Sequence, residues 1–99
     1  MTKRIEDCLN EILQICASEF GVSIEDIKSA SRKQEFVYCR KAFCLIVKEK
    51  FDLKYEIIAR KINRSANQVS VSINTQPDNK YYNFVLHQIK IKIDQITFL

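Results

Sequence analysis

The spacing of apolar residues predicts helices along nearly the whole chain. Ile5, Leu9, Ile12, Cys16 and Phe20 recur every three or four positions, with Glu6, Asp7, Glu11 and Glu19 between them. That is the period of an amphipathic helix. Gly21, the chain's only glycine, stands where a left-handed C-cap would close it. Ser23 opens a short second helix, SIEDIKSA, whose Ser-x-x-Asp pattern resembles a capping box with Asp for the usual Glu or Gln. The polar stretch Ser29-Ala30-Ser31-Arg32-Lys33 reads as a loop. A long third helix is expected from Gln34 to Phe51, with Phe36, Cys39, Phe43, Ile46 and Val47 facing inward.

Residues 55–73, YEIIARKINRSANQVSVSI, carry the pattern of a helix-turn-helix. The apolar pair Ile57 and Ile58 is followed by Ala59, small enough for a second helix to cross closely, and then by Ile62. Asn63-Arg64-Ser65 breaks the pattern, and Asn63 tolerates the left-handed conformation that ends a helix. Val69 and Ile73, one turn apart, anchor the second helix inward. Its N-terminal half is then free to enter a major groove. The same pattern also fits an ordinary αα-corner with no nucleic-acid role.

Asn74-Thr75-Gln76-Pro77-Asp78 is a second clear break. A last helix, from about Asn79 to Thr97, places Tyr82, Val85, Ile89, Ile93 and Ile96 on one face. Its segment Ile89-Lys90-Ile91-Lys92-Ile93 also alternates like a strand. A lone strand without a partner is unstable, so helix is the expected state. The architecture that follows is all-α: a compact bundle of about six helices containing a helix-turn-helix, with residues 1–99 forming a single domain.

Composition narrows the function classes. One Gly and one Pro among 99 residues leave no room for glycine phosphate loops or turn-rich β architecture. No apolar run approaches the ~18 residues of a membrane span, and no signal peptide pattern opens the chain, so a soluble cytoplasmic protein is expected. Cys8, Cys16, Cys39 and Cys44 fall on inward faces without the close pairing of a zinc site, and read as buried, reduced thiols. His87 has no acid–nucleophile neighbourhood, and paired carboxylates occur only on solvent-facing positions. No enzyme, cofactor or bound nucleotide is expected.

Charge points elsewhere. Residues 1–31 hold three Lys/Arg against six acids, a net −3. Residues 32–64 hold ten against four, a net +6, and residues 65–99 hold three against two. The positive excess therefore lies just before and inside the helix-turn-helix. A polyanion partner is the natural inference, with a solvated charged face as the plain alternative.

From Ile15 on, ICASEFGVSIEDIKSASRKQEFVYCRKAFCLIV resembles the start of the C-terminal DNA-binding domain of the bacterial replication initiator DnaA. Val22 to Ile27 match a short capped segment of that family, Ser31-Arg32-Lys33 its basic loop, and Arg40 a characteristic helix arginine. Ile58-Ala59-Arg60-Lys61-Ile62 match the helix that precedes recognition. The likeness runs from about Ile15 to Val71, with a weaker echo in the last helix. It implies a Trp-repressor-like helix-turn-helix fold and double-stranded DNA binding. The family's recognition helix opens G-R-D-H-T-T-V, where this chain has Asn63-Arg64-Ser65-Ala66-Asn67-Gln68-Val69. Arg64 and Val69 carry over; the Asp, the His and both Thr do not. The family's own target site is therefore not expected here, and neither is its ATP-driven origin opening.

Candidate contacts follow. With Val69 and Ile73 inward, Asn67 and Val71 face outward and Gln68 borders them. Asn and Gln can pair with adenine, and Val can meet a thymine methyl. Ser65-x-x-Gln68 is also a capping box, which would turn Gln68 to backbone. The resemblance implies that Arg32 and Lys33 contact phosphates and the adjacent minor groove. Arg40, Lys41, Lys54, Arg60, Lys61, Arg64 and Ser65 are further candidates for the DNA backbone, with Arg40 alternatively in a structural role. The expected function is sequence-specific DNA binding in replication or transcription, with a protein partner from that machinery possible. The rival is a protein-interaction module that kept the fold and lost DNA readout.

Overall fold

The computed structural model describes residues 4–96, and among these all regular structure is helical. The first helix, α1 (Ile5–Phe20), buries Leu9, Ile12, Cys16 and Phe20 as expected, while Ile5 is left exposed at its first turn. Gly21, at φ 70°, closes α1. Its N–H bonds to Ser18 O at 3.2 Å and that of Val22 to Ala17 O at 2.9 Å, the paired bonds of a Schellman cap. No atom lies within 4 Å of where a Cβ would stand, so glycine is needed here for conformation and not for space.

The capping box of Ser23 and Asp26 starts α2 (Ile24–Lys28), with both reciprocal bonds present. This helix stops at Lys28, two residues short of the expected end, because its last carbonyls are drawn off by an arginine described below. The central element is α3 (Gln34–Phe51), which touches every other helix. Phe36, Cys39, Phe43, Ile46 and Val47 face the core as their spacing predicts. Asp52 ends the helix in the left-handed region at φ 50°, paired with Lys48 one turn earlier at 2.8 Å.

Next come α4 (Tyr55–Ile62) and α5 (Ala66–Asn74), joined through Asn63 at φ 55°. Ala59 is buried where the two pack together. Ile58 and Ile62 point into the core, whereas Ile57, the other member of the apolar pair, turns out to solvent. Val69 is fully buried and Ile73 packs against the core from a half-buried position. The turn thus presents α5 against α3 and α4 with its outer side open.

Asn79 caps α6 (Lys80–Asp94), accepting a bond from Tyr82 N–H at 3.0 Å. The helix ends at Asp94, earlier than expected, and Thr97 lies outside the described residues. Burial settles the ambiguity of residues 89–93. Ile89 and Ile93 are in the core while Ile91 is 40% exposed, which a helix produces and a strand, burying all three on one side, would not. Against α1 and α3 the helix packs Tyr82, fully buried, whose ring meets Tyr38 edge-on at 5.3 Å and whose hydroxyl bonds Gln76. All four cysteines are buried free thiols, in line with the reading of their spacing. No helix of the described residues is long and apolar enough to cross a membrane.

Candidate nucleic-acid interface

The loop between α2 and α3 is shaped from beneath by one side chain. Arg40 projects from α3 into the C-terminal end of α2. Its Nε donates to Ile27 O at 2.7 Å, Nη1 to Ser31 O at 2.9 Å, and Nη2 to Asp26 O at 3.2 Å and Ser29 O at 2.9 Å. A short helix ends with unsatisfied carbonyls and a partial negative charge, and a buried guanidinium answers both. Arg40 is 6% exposed. Of the two roles that its sequence position allowed, the contacts are those of the structural one: Arg40 holds the basic loop up from beneath. Burial, and then the nearby Arg64 guanidinium, hold its pKa below the ordinary arginine value.

Held in this way, the loop exposes Arg32 and Lys33. Ser29 and Ser31 stiffen it through local side-chain bonds to Asp26 O, Ser31 N–H and Lys33 N–H. Lys33 lies over the Phe36 ring, with Nζ 5.7 Å from its centre. The loop's outer side is thus a short, supported basic ridge.

Across from the ridge stands α5. Ser65 and Gln68 form the capping box that the spacing allowed: Gln68 Oε1 accepts from Ser65 N–H at 2.9 Å, and Ser65 Oγ from Gln68 N–H at 3.2 Å. The acceptor oxygen of Gln68 is therefore occupied by backbone, which leaves its NH₂ group as the end able to reach outward. Asn67 is exposed, and Val71 is 51% exposed beside it. Asn74, at the far end of the same side, folds back to Ser70 O at 2.9 Å.

Between ridge and helix runs an open groove of about 600 Å³. Lys28, Arg32, Arg40, Lys41 and Arg64 are among the residues that line it, and no carboxylate is. Val37 and Ile62 form part of its floor, and Gln68 and Val71 its far wall. Several like charges facing one concavity favour an anion there. Lys28 escaped the sequence reading; its signal was its position one residue before the loop, at the end of a capped helix.

The remaining candidates divide. Lys54 and Arg60 are exposed on α4, outside the groove. Lys41 turns its Nζ to the end of α5, donating to Thr75 O at 3.0 Å and Thr75 Oγ1 at 2.6 Å, and burial lowers its pKa. Lys61 is turned away altogether: its side chain is 15% exposed and its Nζ pairs with Glu6 and bonds Asn10 Oδ1 at 2.7 Å. The negative charge of α1 thus claims one cation from the positive segment. Spacing on α4 could not foresee this, since the partner lies some fifty residues away.

A model of the family described as bacterial dnaA protein helix-turn-helix matches residues 9–75. The chain belongs to the DnaA helix-turn-helix family. The matched span takes in most of α1, the supported loop and both helices of the motif, so it contains the whole groove; α6 lies beyond it. Membership of the DnaA family carries DNA binding through the helix-turn-helix. No curated protein and no solved structure matches the chain significantly. Measured against the DnaA signature, the departures at Ser65, Ala66, Asn67 and Gln68 all fall on the N-cap and first turn of α5. Ser65 replaces the acidic residue with a different N-cap, so the helix start is retained while its outward chemistry changes.

Proposed function

We propose that this chain is a sequence-specific double-stranded DNA-binding protein that acts in regulating replication or transcription. In this reading α5 enters the major groove, with Asn67, Val71 and the NH₂ group of Gln68 meeting base edges. Arg32 and Lys33 hold the adjacent backbone and minor groove, and Lys28, Arg60, Arg64 and Lys54 supply phosphate contacts. Ser65 starts the recognition helix, and Arg40 serves the interface from behind. The observation that carries the reading is the acid-free groove, in which the basic loop and the outer side of α5 face one concavity. Asn67 offers both a donor and an acceptor suited to adenine, and Val71 an apolar surface suited to a thymine methyl, so the preferred site contains A·T pairs. The changed first turn makes that site differ from the initiator's own.

Selection of bound duplexes from a random library by the purified chain tests this directly. A recovered A·T-containing motif is the expected outcome. The second reading, a protein-interaction module, is favoured by one observation: Tyr81, Phe84 and Ile91 lie exposed on α6, with Phe84 at 62%. Absence of duplex binding even at low salt would favour it over DNA.

A further inference from the structure

The two elements assigned to DNA are joined directly. Asn63 Nδ2 donates to Lys28 O at 3.2 Å, across 35 residues of sequence. Arg64 Nη2 donates to Ser29 O, and its Nη1 to Asn63 O at 2.9 Å. The turn of the helix-turn-helix is therefore fastened to the two residues from which the basic loop departs. Arg40 holds the neighbouring carbonyls of Asp26, Ile27, Ser29 and Ser31 from α3. Ser29 O is shared, receiving both guanidinium groups.

Asn63 has two functions in one residue. It adopts the left-handed conformation at φ 55° that ends α4, a position where glycine is the least strained choice. Glycine would serve the backbone equally well but would carry no amide. The amide that Asn63 carries there donates to Lys28 O.

We propose that Asn63 and Arg64 are positioning residues that fix the distance between the basic loop and α5, so that the two elements engage the duplex in a single register. This rests on the DNA reading above. Two contact elements joined rigidly tolerate one separation on the DNA, whereas two joined loosely tolerate several at lower affinity. A duplex has a fixed rise per base pair, so rigidity becomes a requirement on site length. Specificity would then come partly from spacing and not only from base edges.

The test uses the full chain and a duplex recovered by selection, in which the losses caused by Arg32→Ala and Asn67→Ala locate the two contacted parts. One base pair is inserted between those parts. The parent should bind the lengthened site about tenfold more weakly, comparable to the cost of a mismatched pair. The double variant Asn63→Gly/Arg64→Ala should bind both sites more weakly but discriminate between them by only about twofold, as a flexible joint would. Arg60→Ala, which removes one charge from the same region without touching Lys28 or Ser29, should keep the parent's discrimination. Asn63→Gly alone preserves the helix end and should give an intermediate ratio, so the question is answered even if the double variant does not fold. A weakening that is equal on both sites in both variants would mean that Asn63 and Arg64 serve only stability or charge, and would overturn the proposal while leaving DNA binding intact. A parent that binds its selected site yet ignores the insertion would overturn it as well. A parent that binds no duplex would remove the DNA reading and this inference together.

Discussion

Single residues decide how the interface behaves. Asn67 and Gln68 are adjacent amides, yet only Asn67 is free of the capping box. Asn67→Ala should lower affinity for a selected site by about 1–3 kcal/mol and leave random-sequence binding nearly unchanged. Gln68→Ala should act differently, lowering the melting temperature as well, because it removes half of the cap. Titrations on specific and random duplexes, beside melting curves, would separate the two. The thiols give a second residue-scale expectation. Burial raises Cys39 and Cys44 from the ordinary 9.0 to about 12, and raises Cys16 as well. For an acid whose folded pKa is raised, the unfolded chain releases its proton first, so stability is full below about pH 9 and declines above it. Chemical denaturation between pH 7 and 11 should show that decline, reduced in Cys39→Ala relative to its own value at pH 7. Alkylating reagents should modify these thiols only on unfolding.

At the scale of elements, the N-cap of α5 and the buried end of α2 are the sensitive points. Ser65→Ala should cost about 0.5–2 kcal/mol of stability and weaken DNA binding by loosening the first turn of the recognition helix. Arg40→Met keeps the bulk of the side chain but takes the guanidinium from Ile27 O and Ser31 O, and removes one of the donors to Asp26 O and Ser29 O. It should destabilise the fold by at least about 2 kcal/mol and raise amide hydrogen exchange in residues 26–33. Lys61→Ala, by contrast, removes a link between α4 and α1 that is paired at the surface. It should cost about 0.2–1 kcal/mol of stability and change neither specific nor random DNA binding appreciably. A loss of DNA affinity on Lys61→Ala without loss of stability would restore it to the interface.

For the whole molecule the governing quantity is charge distribution. The negative segment at the start of the chain is partly spent on internal pairs, Glu6 with Lys61 and Glu19 with Lys92. What remains is a cationic lining around the groove, in a body of 38 × 27 × 24 Å. About five phosphate contacts would give a log–log salt slope of roughly −4.5. Arg32→Ala/Lys33→Ala should flatten that slope by about two contacts and weaken all sequences alike. Affinity measured on one duplex across a range of salt concentrations gives the slope. A value near zero would mean that the groove does not hold DNA.

Much of this was legible in the residues themselves. The helix-turn-helix, the Gly21 cap, both capping boxes and the inward faces of α3 and α6 follow from local rules: a 3.6-residue period, side-chain oxygens near free N–H groups, and a left-handed residue at a helix end. Those rules act over a few positions, so a sequence displays them directly. The order of motifs likewise announced the DnaA family, and charge counting located the cationic region. What the sequence could not assign was the occupation of each charge. For Arg40 a surface and a structural role both fitted, and Lys61 looks like any other cation of the positive segment, yet one is buried under the loop and the other is claimed by α1. Their partners are 9 to 14 and some 50 residues away, distances that no periodicity encodes. Tertiary packing alone brought the loop and α5 to one groove and fastened Asn63 and Arg64 to its edge, because only in the folded chain do the open carbonyls of α2 meet the donors that satisfy them.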